Sequence, residues 1–181
     1  GLEGEKILGL MRRDLDKQVE LYRPQMSPDK SIYDLFKVVF AKGQVMLREH
    51  FRCVGPIIEY SKREFYNHEL LPLRLPRASE RLDPPLIDVH VIDGARGNGK
   101  TNQGEAIFIL EEVRKITSDP RLAKRSIGVV SLVGNEQAQL VWDKISQELG
   151  EEVIEKHQMA FGDARTFQGK ERDIMFLSMV V

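Results

Sequence analysis

Cysteine is nearly absent: Cys53 is the only one in 181 residues, which excludes an internal disulfide and any zinc site built from several cysteines. A lone thiol outside any motif reads as a small buried side chain rather than a nucleophile. Long apolar runs are missing too, none approaching the roughly 20 residues of a membrane-spanning helix. The first residues carry Glu3, Glu5 and Lys6 instead of an apolar signal core, so a cytoplasmic protein with no membrane partner is expected. Aromatic residues make up only 7%, and 27 basic against 28 acidic side chains leave a net charge of -1. This balance argues against a protein that coats DNA by overall charge, although a local groove of Lys and Arg can still follow a phosphate backbone. At this length one globular unit with a substantial core is expected.

What is present is a succession of periodic segments. Ile7, Leu8, Met11, Leu15, Val19 and Tyr22 recur at helical spacing, predicting a helix over about 5–22 that ends before Pro24. Ser31 is placed to N-cap a second helix carrying Ile32, Leu35, Phe36 and Val39 and stopped by Gly43. Residues 1–43 therefore read as an N-terminal helical segment. A strand over 44–52 follows, then a helix opened by Pro56 and bearing Ile57, Ile58, Tyr60, Phe65 and Tyr66. Residues 69–85 interleave Pro72, Pro76, Pro84 and Pro85 with Arg74, Arg77 and Arg81, which predicts an irregular surface connection whose arginines can touch phosphates. Strands are expected over 86–92, 126–132 and within 153–161, with helices capped by Asn102 and spanning 135–149. This alternation predicts an α/β fold with a mostly parallel sheet flanked by helices.

Two stretches carry chemistry. Residues 94–101, Gly-Ala-Arg-Gly-Asn-Gly-Lys-Thr, satisfy G-x-x-x-x-G-K-[ST] literally, so one reading is an autonomous P-loop NTPase using Lys100 and Thr101. Against it, Asn102-Gln103-Gly104-Glu105 reads as a fresh capping segment, which keeps Gly-Lys-Thr off the start of the helix. The strand at 126–132 also ends in Val133-Gly134, without the acid that would hold magnesium. The second stretch is Phe167-Gln168-Gly169-Lys170-Glu171-Arg172-Asp173, a charged loop leading into an apolar run over 174–181 broken only by Ser178. Such a run predicts a buried strand.

Phe167-Gln168-Gly169-Lys170-Glu171 ahead of that strand resembles motif V of superfamily-1 helicases of the up-frameshift type. Phe51-Arg52 at a strand end, followed by a helix and Phe65-Tyr66, is similar to the aromatic-Arg pair of the same family. So are Asn102-Gln103-Gly104-Glu105-Ala106, matching Asn-x-x-Glu-Ala, and the 126–132 strand followed by Asn135-Glu136-Gln137-Ala138-Gln139. The resemblance covers about 45–181 and implies a RecA-like second motor domain over 44–181, cut before motif VI. It further implies an ATP-dependent DNA or RNA helicase or translocase in which Arg52 reaches the γ-phosphate. Glu171 would bind the ribose hydroxyls, Gln168 and Gly169 would line the nucleotide cleft, and Thr166, Arg165 and Lys170 would touch single-stranded nucleic acid. ATP and Mg²⁺ would be held mainly by a first motor domain not contained in this chain, so no metal ligand is expected here and the fragment alone should hydrolyse ATP negligibly. The chain departs from the family where many relatives have Thr four residues and Asp two residues before the Phe: Asp163 and Arg165 stand there, which sets Asp163 aside as a phosphate contact. A non-catalytic nucleic-acid-binding module is the remaining alternative.

Overall fold

The computed structural model describes residue 6 and residues 17–76, 81–92, 94–97 and 99–181. The chain divides into two compact units, Gly1–Ile87 and Asp88–Val181, where length alone pointed to one. Among the described residues no helix is long and apolar enough to cross a membrane.

In the first unit, most of the expected opening helix lies outside the described residues. Its described end is a 3-10 helix, Lys17–Met26, that runs through Pro24 instead of stopping before it. Proline's fixed φ suits a 3-10 path, whereas inside an α-helix it would remove a hydrogen bond. Helix α1, Ile32–Val39, starts at Ser31 as expected. The Ser31 hydroxyl accepts from the Asp34 N–H at 3.3 Å, and the Asp34 carboxylate accepts from the Ser31 N–H at 2.9 Å, a reciprocal capping box. The helix closes at Phe40, whose N–H reaches the Phe36 carbonyl at 2.8 Å, so it stops short of Gly43.

The strand expected over 44–52 is reduced to β1, Glu49–His50. Helix α2, Gly55–Phe65, carries Pro56 in its first turn. Strand β2, Leu71–Pro72, falls in the stretch expected to be irregular and pairs in parallel with β1. Leu71 and Leu73 donate to the Arg48 and His50 carbonyls at 2.6 and 2.8 Å, which puts Pro72 at the one position where no N–H is needed. Cys53 is half-buried rather than buried, and its N–H donates to Nε2 of His50 at 3.0 Å.

In the second unit, α3 (Gln103–Ser118), β3 (Ile127–Ser131), α4 (Glu136–Leu149), α5 (Glu151–Lys156), β4 (Ala160–Asp163) and β5 (Ile174–Ser178) follow in order. The sheet order is β4-β3-β5, and both pairings are parallel. The strand expected over 86–92 does not form. Ile92 is left 86% exposed, and an apolar segment without a ladder partner has no reason to stay extended.

Side-chain alternation assigns the two faces of the sheet. Phe161, Val129 and Phe176 share one row, on the face where Ile109, Val113, Val141 and Ile145 close the core. Both long helices therefore pack on this face. Trp142 of α4 meets Phe161 edge-on, ring centroids 4.8 Å apart and planes at 89°. The architecture is an α/β arrangement of parallel strands flanked by helices, consistent with a RecA-like P-loop fold.

Candidate functional site

Strands β4 and β5 are parallel and lie on opposite sides of β3, so the intervening chain, 164–173, must return along the whole sheet. It does so on the face away from the helices. A Cβ built on Gly128 of β3 would sit 2.9 Å from Cε1 of Phe167 and 2.5 Å from Sδ of Met175. Phe167 is thus the apolar foot of the crossing, seated in the space that glycine leaves.

Hydrogen bonds pin both ends of the loop. At the carboxyl end of β4, the Asp163 carboxylate accepts from the Thr166 N–H at 2.9 Å and from its hydroxyl at 3.0 Å, an Asx-type turn. The Thr166 N–H, then its hydroxyl, hold the Asp163 carboxyl below the usual range. The unusual acid before the motif is therefore a structural clip. At the other end, the Asp173 carboxylate accepts from the N–H and hydroxyl of Ser126, each at 2.8 Å, and approaches the Arg125 guanidinium at 3.4 Å. Burial pushes the Asp173 carboxyl up, but the Ser126 hydrogen bonds and Arg125 outweigh it and leave it below its ordinary value. Arg172 donates to the Gln158 and Glu171 carbonyls at 2.8 and 2.7 Å. His157, fully buried, lies 2.8 Å through Nδ1 from the Arg125 carbonyl.

Between the clips, Lys170 N–H donates to the Phe167 carbonyl at 2.9 Å, with Gly169 at φ +76. One positive φ at the third position makes this a type II turn, the geometry that calls for glycine. The turn presents Gln168, Gly169 and Lys170 to solvent, and Glu171 is exposed beside it. Of the anticipated residues, Arg165 and Thr166 lie at the carboxyl end of β4, whereas Glu171 lies toward the start of β5. Arg165 is exposed, while Thr166 gives its hydroxyl proton to Asp163. Arg52 belongs to the first unit, between β1 and α2, where it is exposed and its carbonyl accepts from Arg74 at 3.0 Å.

Among the described residues of 94–101, the backbone is not laid out as a phosphate cradle. Gly97 N–H is spent on the Thr101 carbonyl at 3.0 Å, the Arg96 side chain donates to the Gly99 carbonyl at 3.1 Å, and Arg96 bridges Asn102. The helix begins only at Gln103, after Lys100 and Thr101. A P-loop instead leaves its N–H groups open at the helix start.

One functional-looking cluster received no role from the sequence. Asn102 exchanges two hydrogen bonds with Gln137, its N–H donating at 2.7 Å and its carbonyl accepting at 3.0 Å. It also caps α3 through the Glu105 N–H at 3.0 Å. The Asn-x-x-Glu spacing is a capping signal legible in the sequence, but the partnership with Gln137 is not. Among the described residues no group of three or more His, Cys, Asp or Glu is placed to hold a metal ion.

The model of a family described as AAA domain matches residues 30–181. No curated protein and no solved structure matches.

Proposed function

The chain belongs to this AAA domain family, a domain found in up-frameshift-type superfamily-1 helicases, and from that premise we propose that it acts as the second motor domain of an ATP-dependent DNA or RNA helicase. The family implies ATP and magnesium use in general. The observation that carries the finer reading is the Phe167-anchored turn, which holds Gln168, Gly169 and Lys170 exposed beside the parallel sheet. In this reading Glu171 accepts from the two vicinal ribose hydroxyls, a task suited to a carboxylate. Gln168 and Gly169 sense nucleotide and strand together. Arg165, Thr166 and Lys170 follow phosphates, positioning the strand without reading its sequence. Arg52 supplies positive charge to the γ-phosphate during transfer, as arginine fingers do. ATP with Mg²⁺ is held mainly by a first motor domain, the partner that supplies the phosphate loop, and cycles of closure move the strand.

The test is hydrolysis and binding with the 181-residue chain. Negligible ATP turnover, unchanged by Lys100→Ala, is expected, together with salt-dependent binding of a single-stranded oligonucleotide that weakens in Lys170→Ala. Ordinary NTPase turnover abolished by Lys100→Ala would replace this reading with an autonomous P-loop enzyme. Oligonucleotide binding indifferent to Lys170 would remove the loop from the nucleic-acid track.

A further inference from the structure

Four donors converge on the side chain of Glu105. Oε2 accepts from the Ser178 hydroxyl at 2.6 Å and the Val180 N–H at 3.2 Å. Oε1 accepts from the Val181 N–H at 3.0 Å and from Nδ2 of Asn102 at 3.2 Å. Asn102 also donates through Nδ2 to the Val181 carbonyl at 2.9 Å. Asn102, Gln137 and Ser178 are each at most 1% exposed. Val180 is held at φ +59, a conformation that a β-branched residue resists, and its N–H is one of those that Glu105 takes.

This hub sits where strand ends and helix starts meet. Ser131 and Ser178 are in register at the carboxyl ends of β3 and β5, Asn102 caps α3, and Gln137 lies in the first turn of α4. Open α/β sheets bind their ligands along this edge. A carboxylate has about four acceptor sites and here uses one for each donor, whereas an amide oxygen offers two and would turn its NH₂ toward the remaining donors.

We infer that Glu105 is a positioning residue for the ligand-binding edge: its carboxylate ties the backbone leaving β5 to the start of α3 and, through Asn102 and Gln137, to the start of α4. The functional half of this inference rests on the nucleic-acid reading above; the structural half does not. The test compares the 181-residue chain with Glu105→Gln by residue-resolved amide exchange and by binding of a single-stranded thymidine oligonucleotide. Glu105→Gln keeps one acceptor oxygen and so strands one of the two amides, Val180 on Oε2 or Val181 on Oε1. Exchange of that amide should speed by roughly tenfold or more, leaving the Ser126 amide in its distant clip unchanged. Removing a negative charge would by itself tighten oligonucleotide binding. Displacement of the edge should instead weaken it, by about threefold to tenfold.

Unchanged exchange at Val180 and Val181 would overturn the positioning role, and tighter binding would overturn its functional consequence. If the unmodified chain binds no oligonucleotide, the helicase reading fails while the exchange comparison still decides the role of Glu105. Should Glu105→Gln not fold, Ser178→Ala removes a single donor and should loosen the same two amides by a smaller factor, an unchanged rate again counting against the hub.

Discussion

The two units differ in how their helices are held. In the second, Ala106, Val113, Ile127, Val129, Val141 and Ile145 are fully buried around one core. In the first, α1 and α2 bury no residue completely, and Leu70 is the one buried apolar side chain among the described residues. Yet α1 has a complete capping box and α2 has proline in its first turn. Local start signals are thus sufficient to place a helix in the chain, while burial decides what the helix contributes to stability.

The contrast breaks or sharpens most strongly at paired isoleucines. Ile145→Ala in the second unit should cost about 2–5 kcal/mol in denaturant unfolding, because both transfer energy and a cavity are involved. Ile57→Ala on α2, 44% exposed, should cost less than about 0.5 kcal/mol. Equal losses would mean that α2 is packed in solution as tightly as α4. Next in size is Asp173→Ala, which strips Ser126 and Arg125 of their shared acceptor and should cost roughly 1.5–3 kcal/mol. A loss near zero would show that the crossing is held without the Ser126 clip.

The smallest effect is acidification. Asp163 and Asp173 both titrate below their ordinary values in the fold. Each therefore adds stability that is fully present above the unfolded carboxylate value near 3.8, and that stability is lost as pH falls through the lower folded value. Fluorescence of the single tryptophan, Trp142, against Phe161, and the shifts of the Thr166 and Ser126 amides, should hold constant from neutrality to about pH 5. The amide shifts should move first below it. Movement beginning near neutrality would mean that neither carboxylate controls it.

Much of the second unit was legible because its signals are local or periodic. The Asn102 cap, the apolar stripe of α4, the β-branched run of β3 and the apolar run of β5 each declare themselves within a few residues. The expected burial of β5 is not met, however: Met175 and Leu177 stand exposed on the face away from the helices. Strand 86–92 misled because alternation states a preference for pairing but not the presence of a partner. β2 was hidden by its own proline, tolerable only because of where Arg48 and His50 place their carbonyls. In the candidate site the glycine turn could be read directly. The clip between Ser126 and Asp173 spans 47 residues and the reach from Glu105 to Ser178 spans 73, and no spacing rule announces contacts so distant. Asp163 was legible as an oddity, and its Asx turn explains it without any ligand.

Gly169 has open space around the position where a Cβ would stand, so nothing steric requires it to be bare. What the turn demands is handedness. A chain assembled by chemical ligation with D-alanine at that place should keep the loop's shape at no cost, whereas L-alanine should distort it, making the crossing a site where mirror-image chemistry outperforms the genetic code.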